Sequence, residues 1–359
     1  VFLNIKIGDL LYDGFLYKHK VATVTLNKKF FEYAREFVYL FLYWHYIFSN
    51  NKVLGLIASH PIREYGIPLR IAAHSNIHSY TTAFTFVYKH SKKKINHSFY
   101  DYKSAFDKLP KKEKIKGISQ AKKELYFKFK GKQTKDTVER IEKDIKPILQ
   151  YSKLKKINKN SQNILIALHS MYDAPHVYGN WIFNDQYEYL KFLGKKSNEL
   201  KQYNWLIKIH PVLFDKEIHI VKDIIKYYPR LKLLKKNITN ANLLKKGVKC
   251  VLTAHGNIAY EFAYLGIPSI LCSKHNPFRG FKFIKDVSNV KAYNKILNNL
   301  DDQKYKIDIN DVYSFYYIRF LKINAFFPNF KELYEKIGDK VNTPLIYDEW
   351  LKIMNNNFH

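Results

Sequence analysis

Short apolar runs alternate with longer segments of helical spacing along much of the chain. In the second half, the runs at residues 164–168, 205–209 and 250–253 have the length and continuous apolar character of buried strands, and stretches with helical periodicity separate them. Two shorter runs of the same kind lie at 231–234 and 269–272. The pattern therefore predicts an α/β domain with a doubly wound parallel sheet.

The first hundred residues show a less regular alternation of the same two patterns. Residues 27–49 have helical spacing and many aromatic residues, which indicates a buried helix, with membrane contact of the aromatic run at 37–48 as the alternative. Apolar runs around this helix predict strands at 1–7, 21–26, 52–59, 69–73 and 84–88.

Composition divides the chain into four parts. Residues 101–160 are rich in lysine and glutamate and have helical spacing, which predicts a connector with solvated faces. A chain of 359 residues has room for a domain on each side. We expect an N-terminal Rossmann-like domain at 1–100 that is truncated at its start, a second Rossmann-like domain at 161–290, and C-terminal helices at 291–359 that pack back on the first domain.

Whole-chain composition excludes several classes of protein. No apolar run reaches the length of about 18 residues that a membrane span needs. No signal peptide is recognisable, and two cysteines, Cys250 and Cys272, suit the reducing cytoplasm. The formal net charge is +30, but no zinc-finger, RRM or basic-zipper pattern accompanies it. We therefore expect no nucleic-acid partner and a cationic surface that rests on anionic lipid headgroups.

The segment 250–268 contains the strongest candidate for a binding site. A strand ends at Thr253, a turn with His255, Gly256 and Asn257 follows, and a helix then begins. Such a turn directs backbone N–H groups at an anion, so a phosphate is one natural occupant. Glu261, one turn into the helix, is placed to reach a ribose hydroxyl. An ordinary strand–helix–strand unit explains the same residues equally well.

Two other predicted strands also end in polar residues. Residues 205–209 are followed by His210 and Pro211, and Lys208 lies just before them, so a phosphate contact and a structural turn are both open. The loop after 164–168 carries His169, Asp173 and His176. Their spacing matches no common zinc pattern, so we expect phosphate or sugar contacts, or a polar turn, and no metal. In parallel sheets the carboxyl ends of the strands meet at one edge, which brings the three groups together.

The first domain contains the candidates for proton transfer. Gly8, Asp9 and Asp13 follow one predicted strand, and His60 follows another. An imidazole titrates near neutrality, whereas Asp13 needs a raised pKa to act as a base. Helix capping or turn formation explains each residue as well. No nucleophile elbow, P-loop or G-x-G-x-x-G fingerprint occurs in the chain.

Taken together, these motifs resemble bacterial GT-B glycosyltransferases that assemble capsule and lipopolysaccharide, such as the Kdo transferases, and more distantly bacterial sialyltransferases. The resemblance rests on residues 8–13, 173–176, 210–211 and 253–268. It implies an α/β GT-B fold, with two Rossmann-like domains facing across a cleft, the first for the acceptor and the second for a nucleotide-sugar donor. Two features depart from the family: the first domain is short, and Asn257 replaces the usual small residue after the glycine.

The resemblance further implies roles for individual residues and a reaction. His210 would contact the donor phosphate, Glu261 the ribose, and Asp13 or His60 would be the base. We expect a cytoplasmic or peripheral-membrane, inverting, metal-independent transferase that needs no cofactor and moves an acidic sugar such as Kdo from a CMP-sugar to a polysaccharide or glycolipid. Alternatives are a CDP-glycerol or CDP-ribitol phosphotransferase, a sugar epimerase, and a non-catalytic cationic protein that binds polysaccharide or membrane. The residues that would form the phosphate-facing turn are Thr253, His255, Gly256 and Asn257.

Overall fold

The described residues of the N-terminal part contain three α-helices, a short 3-10 helix (Arg63–Tyr65) and a small sheet. In the computed structural model, which describes residues 1–83, 86–93, 101–129, 161–210, 215–236, 238–301 and 306–322, strand β1 pairs parallel with β2, and β3 pairs antiparallel with β2. The elements are α1 (Gly8–His19), α2 (Lys28–Asn50), β1 (Gly55–Ala58), α3 (Gly66–His74), β2 (His78–Ala83) and β3 (Phe86–His90). The predicted helix at 27–49 is confirmed, but the prediction that it is buried is wrong, because only Tyr33, Phe37 and Phe41 on it are buried. Asn27 caps this helix by accepting a hydrogen bond from the Phe30 N–H (3.1 Å).

Three strand predictions in this part are wrong. At residues 1–7, Leu3 and Asn4 have positive φ angles, so the chain turns and only an isolated bridge forms between Phe2 and Ile5. Gly8 and Asp9 consequently begin helix α1 and do not form a turn after a strand. Residues 69–73 belong to α3, where the residues from 66 to 73 are all buried, so no polar face revealed the helical period. Residues 21–26 form no strand.

The second half contains one sheet whose six strands are all parallel, and it confirms the predicted α/β class. The spatial order is β6-β5-β4-β7-β8-β9. Counted from β4 this is 3-2-1-4-5-6, the order of the doubly wound dinucleotide-binding fold, which reverses direction between β4 and β7. The strands are β4 (Asn163–Ala167), β5 (Asn204–Lys208), β6 (Leu231–Leu233), β7 (Cys250–Thr253), β8 (Ser269–Leu271) and β9 (Ile284–Lys285).

Helices cover both faces of this sheet because its strands are apolar on both sides. One face, which includes Leu165 and Val251, packs against helices that carry Leu125, Tyr260 and Phe315. The other face, which includes Ile164, packs against helices from the strand connections. The helices are α4 (Tyr102–Asp107), α5 (Lys111–Phe129), α6 (Gln186–Glu199), α7 (Asp215–Tyr227), α8 (Asn240–Lys246), α9 (Ile258–Tyr264), α10 (Val290–Asn298) and α11 (Ile309–Tyr316).

The chain ends, as far as it is described, in a π-helical turn after α11. This turn, Tyr317–Lys322, and α11 both contact α4 and α5, and α11 also contacts α9. The predicted helix within 137–151 and most of the predicted C-terminal helices lie outside the described residues. The division into domains stays a prediction. Among the helices in the described ranges, none has the length and apolar character required to cross a membrane.

Candidate active site

Three histidines meet where the strand order of the six-stranded sheet reverses. His169 follows β4, His255 follows β7, and His210 follows the neighbouring strand β5. The rings of His169 and His255 lie 4.2 Å apart at an angle of 31°. The crevice outside the carboxyl ends of the strands at this reversal is where doubly wound folds bind ligands. We refer to His169, His210 and His255 as the histidine cluster.

Hydrogen bonds hold His169 in the middle of this cluster. The Thr253 hydroxyl lies 3.3 Å from His169 Nε2, and the backbone N–H of His255 donates to the same nitrogen (3.5 Å). Burial lowers the pKa of His169 well below its ordinary value, and the charges of His255 and His210 lower it further. His169 is therefore a neutral imidazole, and His210 lies close enough to affect it electrostatically.

The turn after β7 lies directly against His169. A Cβ atom added to Gly256 would lie 3.3 Å from Thr253 Oγ1 and 3.7 Å from His169 Cε1, so a larger residue would fill the space beside the imidazole. Asn257 precedes α9 in a helical conformation and its side chain makes no capping hydrogen bond. Because α9 has only seven residues, the side chains around the turn matter more for anion binding than the helix dipole does.

Lys208 and Glu261 lie on the side of the turn that faces α5. Lys208 Nζ donates to the Ile238 carbonyl (2.9 Å); burial lowers the pKa of this lysine, and the charge of Glu261 opposes that effect. Glu261 is buried and accepts hydrogen bonds from Lys128 Nζ (3.0 Å) and Asn240 Nδ2 (3.0 Å). A ribose hydroxyl at Glu261 would have to share its carboxylate with these two donors. Sequence reasoning missed both donors because neither belongs to a motif.

The loop after β4 also brings the carboxylate of Asp173 close to the histidine cluster. Burial raises the pKa of Asp173, whereas its hydrogen bond from the Ala174 N–H and the charge of Arg63 lower it. One ligand atom each of His169, Asp173 and His255 lies within 4.8 Å of the other two. Two imidazoles and a carboxylate are ligand types that zinc uses, so the expectation that no metal binds here stays a prediction.

The same loop meets α1 through a carboxylate–imidazole pair. Asp13 is fully buried, and its Oδ1 lies 2.6 Å from Nδ1 of His176, whose side chain is 25% exposed. The Val177 N–H also donates to Asp13 (3.4 Å). Nearby, the Tyr12 hydroxyl donates to Asp185 (2.6 Å), so α1 and the loop are joined at two points. We refer to Asp13 and His176 as the dyad.

Burial and mutual attraction set the protonation of the dyad. Burial raises the pKa of Asp13 to about 6, and the hydrogen bond and charge of His176 only partly offset this effect. Burial alone would lower the pKa of His176, but the hydrogen bond and charge of Asp13 outweigh it, so the pKa is raised. Because Nδ1 of His176 is hydrogen-bonded to Asp13, Nε2 is the nitrogen left to exchange a proton with a substrate.

The remaining predicted site residues are members of neither group, although the charge of Asp9, one turn before Asp13, raises the pKa of both Asp13 and His176. Asp9 is buried and accepts two hydrogen bonds from Arg70, at 2.5 and 2.9 Å, which ties α1 to α3. Gly8 is the first residue of α1. His60 is exposed in the segment after β1. Pro211 lies outside the described residues.

Comparisons with solved structures find several matches of low similarity. KpsC from Thermosulfurimonas dismutans, described as a beta Kdo 2,4 transferase, matches with 10% identity and a TM-score of 0.44 over 72% of this chain and 78% of that chain. A UDP-GlcNAc 2-epimerase from Neisseria meningitidis matches with 10% identity and a TM-score of 0.34 over 80% of each chain. The wall teichoic acid polymerase TagF matches with 14% identity and a TM-score of 0.28 over 58% of this chain and 52% of that chain.

Similarity of this size does not establish a shared function. No protein-family model and no curated protein matches the chain.

Proposed function

We propose that this protein is a nucleotide-sugar-dependent glycosyltransferase with a GT-B arrangement of two facing domains. The observation that carries the proposal is the position of the dyad relative to the histidine cluster. One loop, which leaves β4 at the reversal of the sheet, carries both His169 of the cluster and His176 of the dyad. This short segment thus carries His169, which is suited to bind an anionic leaving group, and His176, which is suited to accept a proton.

The histidine cluster is suited to stabilise the departing nucleotide phosphate. Lys208 ends β5 and His210 follows it, and Thr253 ends β7 and His255 follows it, so these residues reach the crevice from two neighbouring parts of the sheet edge. As the bond between the anomeric carbon and the phosphate oxygen breaks, the electron pair leaves with the phosphate. Donors that are already fixed in place stabilise this charge without reorganisation, so the step needs no metal ion.

The dyad is suited to activate the acceptor. His176 Nε2 takes the proton from the acceptor hydroxyl while its oxygen attacks the anomeric carbon from the face opposite the phosphate, which inverts the configuration. Asp13 is buried behind the imidazole, so it acts as a positioning residue that fixes the tautomer. Of the two bases expected from the sequence, Asp13 takes this supporting role and His60 remains the rival base.

The proposal extends to substrates of a definite chemistry. The donor is a CMP-sugar, with Kdo or another acidic sugar as the group transferred, and the acceptor is a growing surface polysaccharide or glycolipid at the cytoplasmic side of a membrane. The excess of 61 lysines and arginines over 31 acidic residues favours substrates that carry negative charge.

Nucleotide binding and product analysis test the proposal. Thermal unfolding is followed with CMP, CDP, UDP, GDP and dTDP, where a ligand at a hundred times its dissociation constant adds about 2.7 kcal/mol of stability. The bound nucleotide's sugar conjugate is then incubated with and without acceptor in excess EDTA. Sugar on the acceptor supports the proposal; a transferred polyol phosphate with release of CMP, a sugar changed without acceptor, or no nucleotide binding contradicts it.

His210 is the residue that should matter most for the departure of the nucleotide. We expect His210→Ala to reduce transfer by about a hundredfold, because it removes one preorganised stabiliser of the leaving group. His219→Ala, which replaces an exposed histidine of α7, is the matched control and should leave the rate unchanged. Steady-state kinetics with both variants make the comparison, and equal rates would remove His210 from the mechanism.

The base is identified by a second pair of variants. His176→Gln should abolish most transfer while nucleotide binding persists, since the residue acts on the acceptor and not on the donor. His60→Gln should retain transfer. The opposite pattern would assign the base to His60.

A further inference from the structure

The most exposed aromatic surface in the described part of α2 lies along its second half. Tyr39, Leu42, Tyr43 and Tyr46 are 64%, 42%, 55% and 63% exposed. Their spacing of three, four and seven residues places them on one side of the helix. We refer to these four residues as the tyrosine face.

The opposite side of the same helix is anchored in the core. Tyr33, Phe37 and Phe41 repeat every four residues, are buried, and pack with α1 and α3 in one cluster. The helix therefore cannot turn the tyrosine face inward without exposing these three buried aromatic side chains to water. The exposure of the tyrosine face is a fixed property of the packed structure.

The distribution of charge around the tyrosine face is also distinctive. From Phe37 to Asn51 the chain contains no lysine, arginine, aspartate or glutamate, and this uncharged stretch of helix is about 20 Å long. Cations flank it on both sides: Lys28, Lys29 and Arg35 precede it and Lys52 follows it. Of the two acidic residues on the helix, Glu36 is paired with Lys18 (2.6 Å).

This combination fits the interface of a lipid bilayer. Tyrosine places its ring among the acyl chains near the headgroups while its hydroxyl stays hydrated, which is why it is enriched at membrane interfaces. A helix with an apolar face and flanking cations lies in the plane of the membrane and is held by both apolar burial and anionic lipids.

A second copy of the chain is the rival occupant, and charge argues against it. In a two-fold interface the two α2 helices would run antiparallel, which brings the cations before one stretch close to Lys52 of the other, or parallel, which brings the same cations of the two copies side by side. Two molecules that each carry a formal charge of +30 also repel one another.

We propose that the tyrosine face docks on the headgroup region of an anionic lipid bilayer, with the flanking lysines and Arg35 on the lipid phosphates. This deepens the proposed function, on which it rests only for the biological reason that the acceptor lies at a membrane. The docking itself requires neither donor nor acceptor.

Sedimentation with vesicles tests the proposal without any substrate. Wild type should bind vesicles of phosphatidylcholine mixed with phosphatidylglycerol and bind pure phosphatidylcholine more weakly. Replacing the four residues of the tyrosine face with glutamine should weaken binding to the mixed vesicles by about tenfold or more, since the apolar contact is lost. Tyr227→Gln is the matched control, because Tyr227 is 81% exposed on α7.

Fluorescence locates the contact within the molecule. The native tryptophans do not report on the tyrosine face: Trp44 packs against the core cluster on the other side of α2, Trp181 and Trp205 are buried, and Trp350 lies outside the described residues. We therefore place the probe on the face itself with Tyr43→Trp. Brominated lipids in mixed vesicles should quench the additional emission of this variant, whereas the additional emission of Tyr227→Trp should stay unquenched. Equal quenching of the two variants would show that another surface meets the lipid.

Three results would overturn the proposal. The first is equal vesicle binding by wild type and the glutamine variant, which would assign binding to the dispersed lysines. The second is no binding to mixed vesicles. The third is a wild-type dimer that the glutamine variant converts to a monomer, which would make the face an interface between copies. An unchanged melting temperature of the variant shows that it folds, and nucleotide binding measured separately tests the proposed function.

Discussion

At the scale of single residues, the dyad shows how burial changes the chemistry of ordinary side chains. An aspartate carboxylate in water is a weak base, but burial raises the pKa of Asp13 to about 6. Asp13 also contacts His176, which is the stronger base of the two. His176 gains a fixed orientation from this contact. The residue that would face the substrate is therefore the imidazole, and the carboxylate determines how that imidazole titrates.

Asp13→Asn should change the pH dependence of transfer in a definite direction. The hydrogen bond and charge of Asp13 raise the pKa of His176, whereas burial lowers it. Once the charge of Asp13 is removed, burial is the largest effect left and lowers the pKa of His176, as does the charge of Lys6, and the charge of Asp9 opposes them only in part. The pKa of His176 therefore falls. Because the base must be neutral, the acidic limb of the rate profile moves to lower pH. We also expect the maximal rate to fall by about a hundredfold.

The measurement is the rate of transfer against pH at saturating substrate for wild type and Asp13→Asn. A merely structural role would lower the rate at every pH and leave the limb in place. That outcome would contradict the proposed partnership.

At the scale of secondary-structure elements, α1 does two tasks with one face. Asp9 and Asp13 lie four residues apart, so both point the same way along the helix. Asp9 ties the helix to α3 through Arg70, and Asp13 reaches His176 in the loop after β4. Close packing against α2 also depends on Gly14, since a Cβ there would lie 2.1 Å from the Tyr33 hydroxyl oxygen. The helix positions the dyad only if its own packing is intact.

Asp9→Ala should therefore destabilise the fold before it affects chemistry. It leaves the buried Arg70 guanidinium without its carboxylate, and breaking a buried ion pair from one side costs about 3–5 kcal/mol. Urea unfolding measures the loss. Asp223→Ala is the matched control, because Asp223 and Lys226 form an exposed pair on α7. A midpoint that does not differ between the two variants would show that the Asp9–Arg70 pair is not needed.

At the scale of the whole molecule, contacts of α1 with residues after β4 join the N-terminal part to the other half of the chain. Asp185 is one of them: its side chain accepts a hydrogen bond from Tyr12 (2.6 Å) and also caps α6 through the Glu188 N–H (2.8 Å). Arg63 adds a hydrogen bond to the Tyr172 carbonyl (3.3 Å). The loop that holds His176 is thus positioned by both halves of the chain.

Tyr12→Phe should weaken the contact between α1 and the loop after β4, because it removes the hydrogen bond to Asp185. The buried Asp185 carboxylate loses a donor, which costs about 1–3 kcal/mol of stability. We expect transfer to fall several-fold while nucleotide affinity is unchanged, because His176 is less well positioned and the histidine cluster is untouched. Unfolding and steady-state kinetics measure both effects, with Tyr227→Phe as an exposed control. Reduced nucleotide affinity with an unchanged rate of transfer would contradict the role of Tyr12 in positioning His176.

The sequence by itself determined the order of strands and helices in the second half and the position of helix α2. Those elements have a polar face or lie between clear turn signals, so their local periodicity is visible. It also indicated that polar groups after β4, β5 and β7 would gather at one edge of the sheet, because parallel strands end on the same side.

Only the tertiary structure decided the rest. Residues 69–73 are helical because α3 is buried on all sides, which removes the periodic signal. Asp13 meets His176 across 163 positions, and Lys128 meets Glu261 across 133, and neither pair has a local pattern. Such pairs depend on which helix faces pack together, and packing follows from the shape and burial of the whole chain, which no short segment encodes.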